Sequence, residues 1–176
     1  MTMQIRRYQD SDHPQVLCLH RVTLAAVGAD AGPGPWDDDL DQIEQTYLTA
    51  RGEFIVGLLD DRVVAMGALR RVGEQTAELN RMRVSPELQR QGFGRRILLA
   101  LEARARELGY TAIVLDTTER QAGAIALHRT EGYLETGRGE LAGLSTVFFR
   151  KTLAAATIES ALADAVDDRP GTAISG

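Results

Sequence analysis

The chain has 176 residues, of which 44% are hydrophobic and 26% charged, a balance that suits one soluble domain with a core of its own. Its net charge of −5 argues against non-specific attraction to nucleic acid or an anionic membrane. No apolar run reaches the roughly 18 residues of a membrane span. A single cysteine, Cys18, excludes an internal disulfide, and three scattered histidines (His13, His20, His128) make a structural zinc site unexpected. Met1 to Asp10 is polar and does not read as a signal peptide, so a cytoplasmic protein is expected.

Met3 to Arg7 predicts a short first strand. Ser11 or Asp12 can cap a helix that has Pro14 in its first turn and stops near Gly28. On that helix His13 and His20 read as structural or solvated, and Cys18 as a small core residue. Gly28 to Pro35 is a loop, and Trp36 with Asp37, Asp38 and Asp39 leads into a second helix carrying Leu40, Ile43, Tyr47 and Leu48. Glu53–Leu59 and Arg62–Arg71 are strands, joined at Asp60-Asp61 by a hairpin turn. Thr76–Val84 is the next strand. Its apolar positions, Leu79, Met82 and Val84, contain a step of three, which predicts a β-bulge.

A helix from about Gly92 to Leu108 follows, with Phe93, Ile97, Leu101, Ala105 and Leu108 on one stripe. Arg104 falls inside that stripe, and its stem is expected to snorkel out. Ala112 to Leu115 reads as a strand buried on both faces. Gln121 to Thr130 is another helix, and Leu134–Arg138 and Thr146–Lys151 are closing strands. The domain is expected to end at residue 153. Residues 154–176 read as an alanine-rich, partly disordered tail.

The loop before the Gly92 helix is the candidate for chemistry, although Gly92 and Gly94 taken alone fit equally well as residues that merely begin a helix. A helix that opens just after closely spaced glycines presents free N–H groups and a positive dipole end, which suit a phosphate. A P-loop is excluded, because Gly94 is followed by Arg95 and Arg96 rather than Lys and Ser or Thr. A dinucleotide fingerprint fails at Ile97 and at the long Ser85–Gln91 loop, although Asp116 mimics its ribose-binding acid.

Gln89, Gly92 and Gly94 spell Q-x-x-G-x-G after Val84-Ser85-Pro86. Together with Ala122 to Tyr133 (AGAIALHRTEGY) and the element order, this resembles the GCN5-related N-acetyltransferases across roughly Met3 to Leu153. The resemblance implies an α/β (α+β) fold with a mixed, mostly antiparallel sheet flanked by helices and a bulge in the strand before the loop. It implies an enzyme that moves acetyl from acetyl-CoA to a primary amine of a small molecule, amino acid or protein by direct attack, without a metal. It also admits a homodimer, through the closing strands or the tail.

Carried over, the amides of Arg90, Gln91, Gly92, Phe93, Gly94 and Arg95 would hold the coenzyme A pyrophosphate, with charge from the side chains of Arg90, Arg95 and Arg96, and Gln89 opens the cofactor-binding motif. Met82, Arg83 and Val84 would bond the pantetheine arm through their backbone. Glu78 stands where some members carry a general base acting through a water. The strand alone also allows an exposed carboxylate, or one that holds the substrate cation. Asn80 could order that water. His128 replaces the tyrosine that many members use as general acid, and Gln121 replaces an asparagine at the cofactor. These two departures motivate a rival reading, a non-catalytic acyl-CoA-binding or regulatory module. Trp36 is expected at the pocket rim for substrate. The neighbouring aspartates, including Asp41, could hold an ammonium group but are read as complementing a helix N-terminus.

Overall fold

The computed structural model describes residues 2–28 and 34–154. The described chain runs β1 (Gln4–Arg7), α1 (His13–Ala26), α2 (Asp38–Asp41), β2 (Glu53–Leu59), β3 (Arg62–Arg71), β4 (Thr76–Val84), α3 (Phe93–Glu107), β5 (Ala112–Thr118), α4 (Ala122–Thr130), β6 (Leu134–Leu141) and β7 (Leu144–Thr152). The seven strands form one sheet in the order β1-β2-β3-β4-β5-β7-β6. Only β4 and β5 pair in parallel; every other neighbouring pair is antiparallel. The expected mixed sheet, mostly antiparallel, is therefore present.

Alternation along the strands divides the core into two layers. Phe54, Val56 and Leu58 of β2 and Val63, Met66 and Ala68 of β3 pack with Val16 and Leu19 of α1 and with Leu40, Ile43 and Tyr47. On the other face Ile55, Val64, Leu69, Ala77 and Leu79 meet Ile97, Leu98, Leu101 and Ala105 of α3. The β2–β3 hairpin turns at Asp60 and Asp61, both at positive φ (48° and 61°), the twist that a two-residue hairpin turn requires.

The bulge lies where the spacing of Leu79 and Met82 puts it. Ala68 pairs with Asn80 and Met66 with Arg83, so Gly67 alone faces both Arg81 and Met82. Arg81 takes up the extra residue at φ 54°. A Cβ on Gly67 would stand 2.8 Å from both Ile97 and Leu101, so α3 presses on the sheet at the bulge. Beside it, the parallel pairing of β4 and β5 covers only Thr76–Glu78 against Ala112–Val114. Beyond Glu78 the two strands share no ladder pair.

Several local expectations change. Cys18 is exposed rather than in the core. The buried positions of α1 are Val16, Leu19, His20 and Thr23, a stripe at helical spacing that leaves position 18 on the far side. Arg104 does not simply snorkel: its Nε meets the buried Glu53 carboxylate at 2.7 Å and its Nη1 meets Glu107 at 2.9 Å. The second helix is split into α2 and a wider π-type turn over Glu44–Leu48. The closing strands are longer than expected, and β5 continues to Thr118. Most of the Gly28–Pro35 loop and the tail from 155 lie outside the described residues.

Candidate active site

Where β4 and β5 part, a cleft of about 510 Å³ opens between the end of β4, the start of α3, α4 and the C-terminal half of α1. Gly92 caps α3 at φ 83°, a conformation that strains any residue with a Cβ, and no side chain caps the helix. The first amides of α3 therefore have no partner within the helix and lie beside the positive dipole end. Arg90, also at positive φ (60°), lines the cleft with Gln89, Gly92, Gly94 and Arg95.

The side chains of this loop divide by role. Gln89 Nε2 donates to the Val84 carbonyl at 3.2 Å and ties the loop to β4. Arg95 lines the cleft and pairs with Glu131 at 2.6 Å. Arg96 does not add charge there, because its guanidinium donates to the Met3 carbonyl. Gln91 donates to the Glu87 carbonyl and Phe93 is buried in the core, so any part either plays at the cleft falls to its backbone. Arg120, which motif reading passes over, lines the opposite wall.

On α4, His128 lines the cleft but is only 4% exposed. Its ring meets Tyr133 edge-on at 5.3 Å and lies 6.1 Å from Phe149. Burial pushes its pKa down from 6.5 to about 4, so at pH 7 the imidazole is neutral. Its Nδ1 is buried without a partner. The imidazole can therefore serve as a hydrogen-bonding group but not as a charged acid. Gln121 is held in place by the Thr117 hydroxyl, which donates to its Oε1 at 2.8 Å. Tyr133 packs, as its place in the motif predicts.

Glu78 is not part of this cleft. It lines a second hollow with Val114, Leu115, Asp116, Thr136, Phe148 and Phe149. One of its oxygens accepts from Arg70 Nε at 3.0 Å and from Asn80 Nδ2 at 3.3 Å. The Asn80 Oδ1 is buried and unpaired. Burial, and next the charge of Glu78, push the Asp116 carboxyl above the usual range. Glu78 and Val114, the last β4–β5 pair, both line this second hollow and not the cleft.

Trp36 is exposed and outside both cavities; its carbonyl accepts from Arg81 Nη2 at 2.6 Å. Its aspartate neighbours do not form an open ammonium site. Asp37 binds His20 Nε2 at 3.0 Å and Arg81 Nη1 at 3.2 Å. Asp39 accepts from Arg81 and from the buried Tyr47 hydroxyl, whose pKa burial and then Asp39 push up. Only Asp38 and Asp41 remain as first-turn acids of α2. Sequence reading missed Arg81; the signal was its place at the bulge.

Residues 22–133 match the family described as the acetyltransferase (GNAT) family, and the chain belongs to it. Among curated relatives it is 31% identical over 123 residues to human N-acetyltransferase 8, covering 63% of this chain and 54% of the relative. To rat N-acetyltransferase 8F1 it is 32% identical over 117 residues, covering 64% and 51%. The chain spans about half the length of these relatives. An uncharacterized N-acetyltransferase of Escherichia coli, YjgM, is 28% identical over 134 residues, covering 73% of this chain and 80% of the relative. The same fold occurs in an acetyltransferase of the GNAT family from Staphylococcus aureus (TM-score 0.78, 20% identity, 87% and 100% covered). It occurs again in the PaiA N-acetyltransferase of Thermoplasma acidophilum solved with coenzyme A (0.69, 15%, 86% and 99% covered).

Proposed function

We propose that this chain is an acetyl-CoA-dependent N-acetyltransferase that acetylates a primary amine. The observation that carries this reading is the parting of β4 from β5 after Glu78, which opens a cleft bounded by the free amides of α3 at one end and the bulge at the other. The residues present fit coenzyme A. The α3 amides with Arg90 and Arg95 match a diphosphate, the edge of β4 from Met82 to Val84, which has no ladder pair on β5, matches an amide-bearing arm, and the His128 Nδ1, without a partner among the described residues, suits a polar group. Acetyl-CoA supplies the activated acyl group.

The chain's own residues do the rest. An amine of pKa about 10.4 is mostly charged at pH 7, and freeing its lone pair costs about 4.6 kcal/mol. Glu78, with Asn80 beside it, takes up that proton through a water. The neutral His128 donates a hydrogen bond in the cleft, and the buried ring contacts around it exclude water. Among the described residues no helix is long and apolar enough to cross a membrane, and the single cysteine fits a reducing cytoplasm. A homodimer would use β6, an edge strand with exposed Leu134 and Leu141.

The rival reading, a non-catalytic acyl-CoA-binding module, draws support from the neutral His128 where a tyrosine acid is usual. Release of free thiol from acetyl-CoA across an amine panel separates the two. Amine-dependent release supports the transferase, whereas coenzyme binding without release on every amine supports the module.

A further inference from the structure

Arg83 has donors that nothing described so far uses. It lines the cleft together with Thr23 and Leu24 of α1. Among the described residues one hydrogen bond holds its side chain, from Nη1 to the Met82 carbonyl at 2.8 Å, and its Nε is buried with no partner. Asp37 and Asp39 equal Arg81 and Arg83 in number, yet their hydrogen bonds run to Arg81, His20 and Tyr47. No carboxylate among the described residues pairs with Arg83. Burial, and then repulsion from Arg81, push its pKa down to about 10. A guanidinium offers five donors, and leaving them unmade in a desolvated site is costly unless an anion arrives.

We propose that Arg83 anchors a carboxylate of the acceptor, so that the amine acetylated by this chain belongs to a molecule that also carries an acid group. This rests on the transferase reading given above. The fork of a guanidinium matches a carboxylate with two parallel hydrogen bonds, which selects for that group in a way a lone point charge does not. The phosphates of coenzyme A have another seat, at the amides that open α3 with Arg90 and Arg95. Arg83 lies on β4 next to the bulge and lines the cleft with Thr23 and Leu24 of α1, on other elements than the α3 start.

The test uses matched acceptors, an amino acid and the amine left when its carboxylate is removed, in thiol-release assays of the wild type, Arg83→Gln and Arg83→Lys. The wild type is expected to favour the amino acid by about tenfold or more in kcat/KM, the worth of one charge-assisted hydrogen bond. Arg83→Gln raises KM for the amino acid by about tenfold to a hundredfold and so removes the preference for it over the decarboxylated amine. Arg83→Lys restores part of the preference, which also shows that the loss in Arg83→Gln is not misfolding. Equal use of both amines by the wild type overturns the proposal. So does weakened coenzyme A binding in Arg83→Gln, which assigns the residue to the phosphates. Turnover of neither amine, with coenzyme A still bound, overturns the transferase reading and the proposal with it.

Discussion

Arg81, the residue that bulges from β4, grips the Asp39 carboxylate with two donors, Nε at 2.9 Å from Oδ2 and Nη2 on Oδ1. It reaches the Trp36 carbonyl and Asp37 as well, so one side chain fastens the segment from Trp36 to α2 onto the bulge. Both side chains are about four-fifths buried. Arg81→Ala leaves two carboxylates without their cation and should cost about 3 kcal/mol, lowering Tm by roughly 6–12 °C. Arg81→Gly loses the same pair but suits the positive φ, so it should be about 1 kcal/mol less damaging than alanine. Thermal melts of both variants check this ordering; alanine equal to wild type, or glycine worse than alanine, would contradict it.

Glu78 lies outside the coenzyme cleft, in a second hollow that it lines with Asp116 and its β5 partner Val114. Glu78→Gln should therefore lower kcat by about a hundredfold or more, the usual range for a lost general base, and leave KM for acetyl-CoA unchanged. Its rate should also climb more steeply with pH than that of the wild type, because the acceptor must then shed its proton unaided. Steady-state kinetics between pH 7 and pH 9 decide this. An unchanged kcat and pH profile would remove Glu78 from the chemistry.

His128 carries a stability signature. Its pKa falls from 6.5 to about 4 on burial, so the folded state resists protonation that the unfolded chain accepts. The contribution is complete above pH 6.5 and fades as pH falls toward 4. The predicted loss is on the order of 2–3 kcal/mol between pH 7.5 and 4.5. Urea titrations of the wild type and His128→Phe measure it: the wild type should lose that much more than the variant across the interval. Equal pH dependence in the two proteins would show that His128 is not buried in its neutral form.

Local rules carried much of the fold. The Asp60-Asp61 turn is legible because two residues between alternating strands leave few geometries, and the bulge is legible because period-two spacing breaks between Leu79 and Met82. The cofactor loop is legible because its glycines sit at a fixed spacing before a helix. What spacing does not carry is the partner of a charge. Arg81 meets Asp37 and Asp39 from more than forty positions away, and Arg104 finds Glu53 on β2. The aspartates beside Trp36 read as complements of a helix N-terminus for the same reason, their pairs with Arg81 being hidden. Burial of His128 was equally hidden, since it comes from Tyr133 and from Phe149 of β7, which insertion of β7 between β5 and β6 brings under α4.

The account stands on the cleft between the parted strands being a coenzyme A site. Gly94 lines that cleft, and a Cβ there would stand 3.6 Å from Leu127 and Val84. A Cβ there makes ordinary van der Waals contact, and the branches of a valine add bulk among cleft-lining residues. Titration calorimetry of coenzyme A against the wild type and Gly94→Val is the direct measurement. The predicted result is one equivalent bound by the wild type, with affinity reduced about tenfold or more in the variant. No binding to the wild type, or equal binding by both proteins, would contradict the assignment.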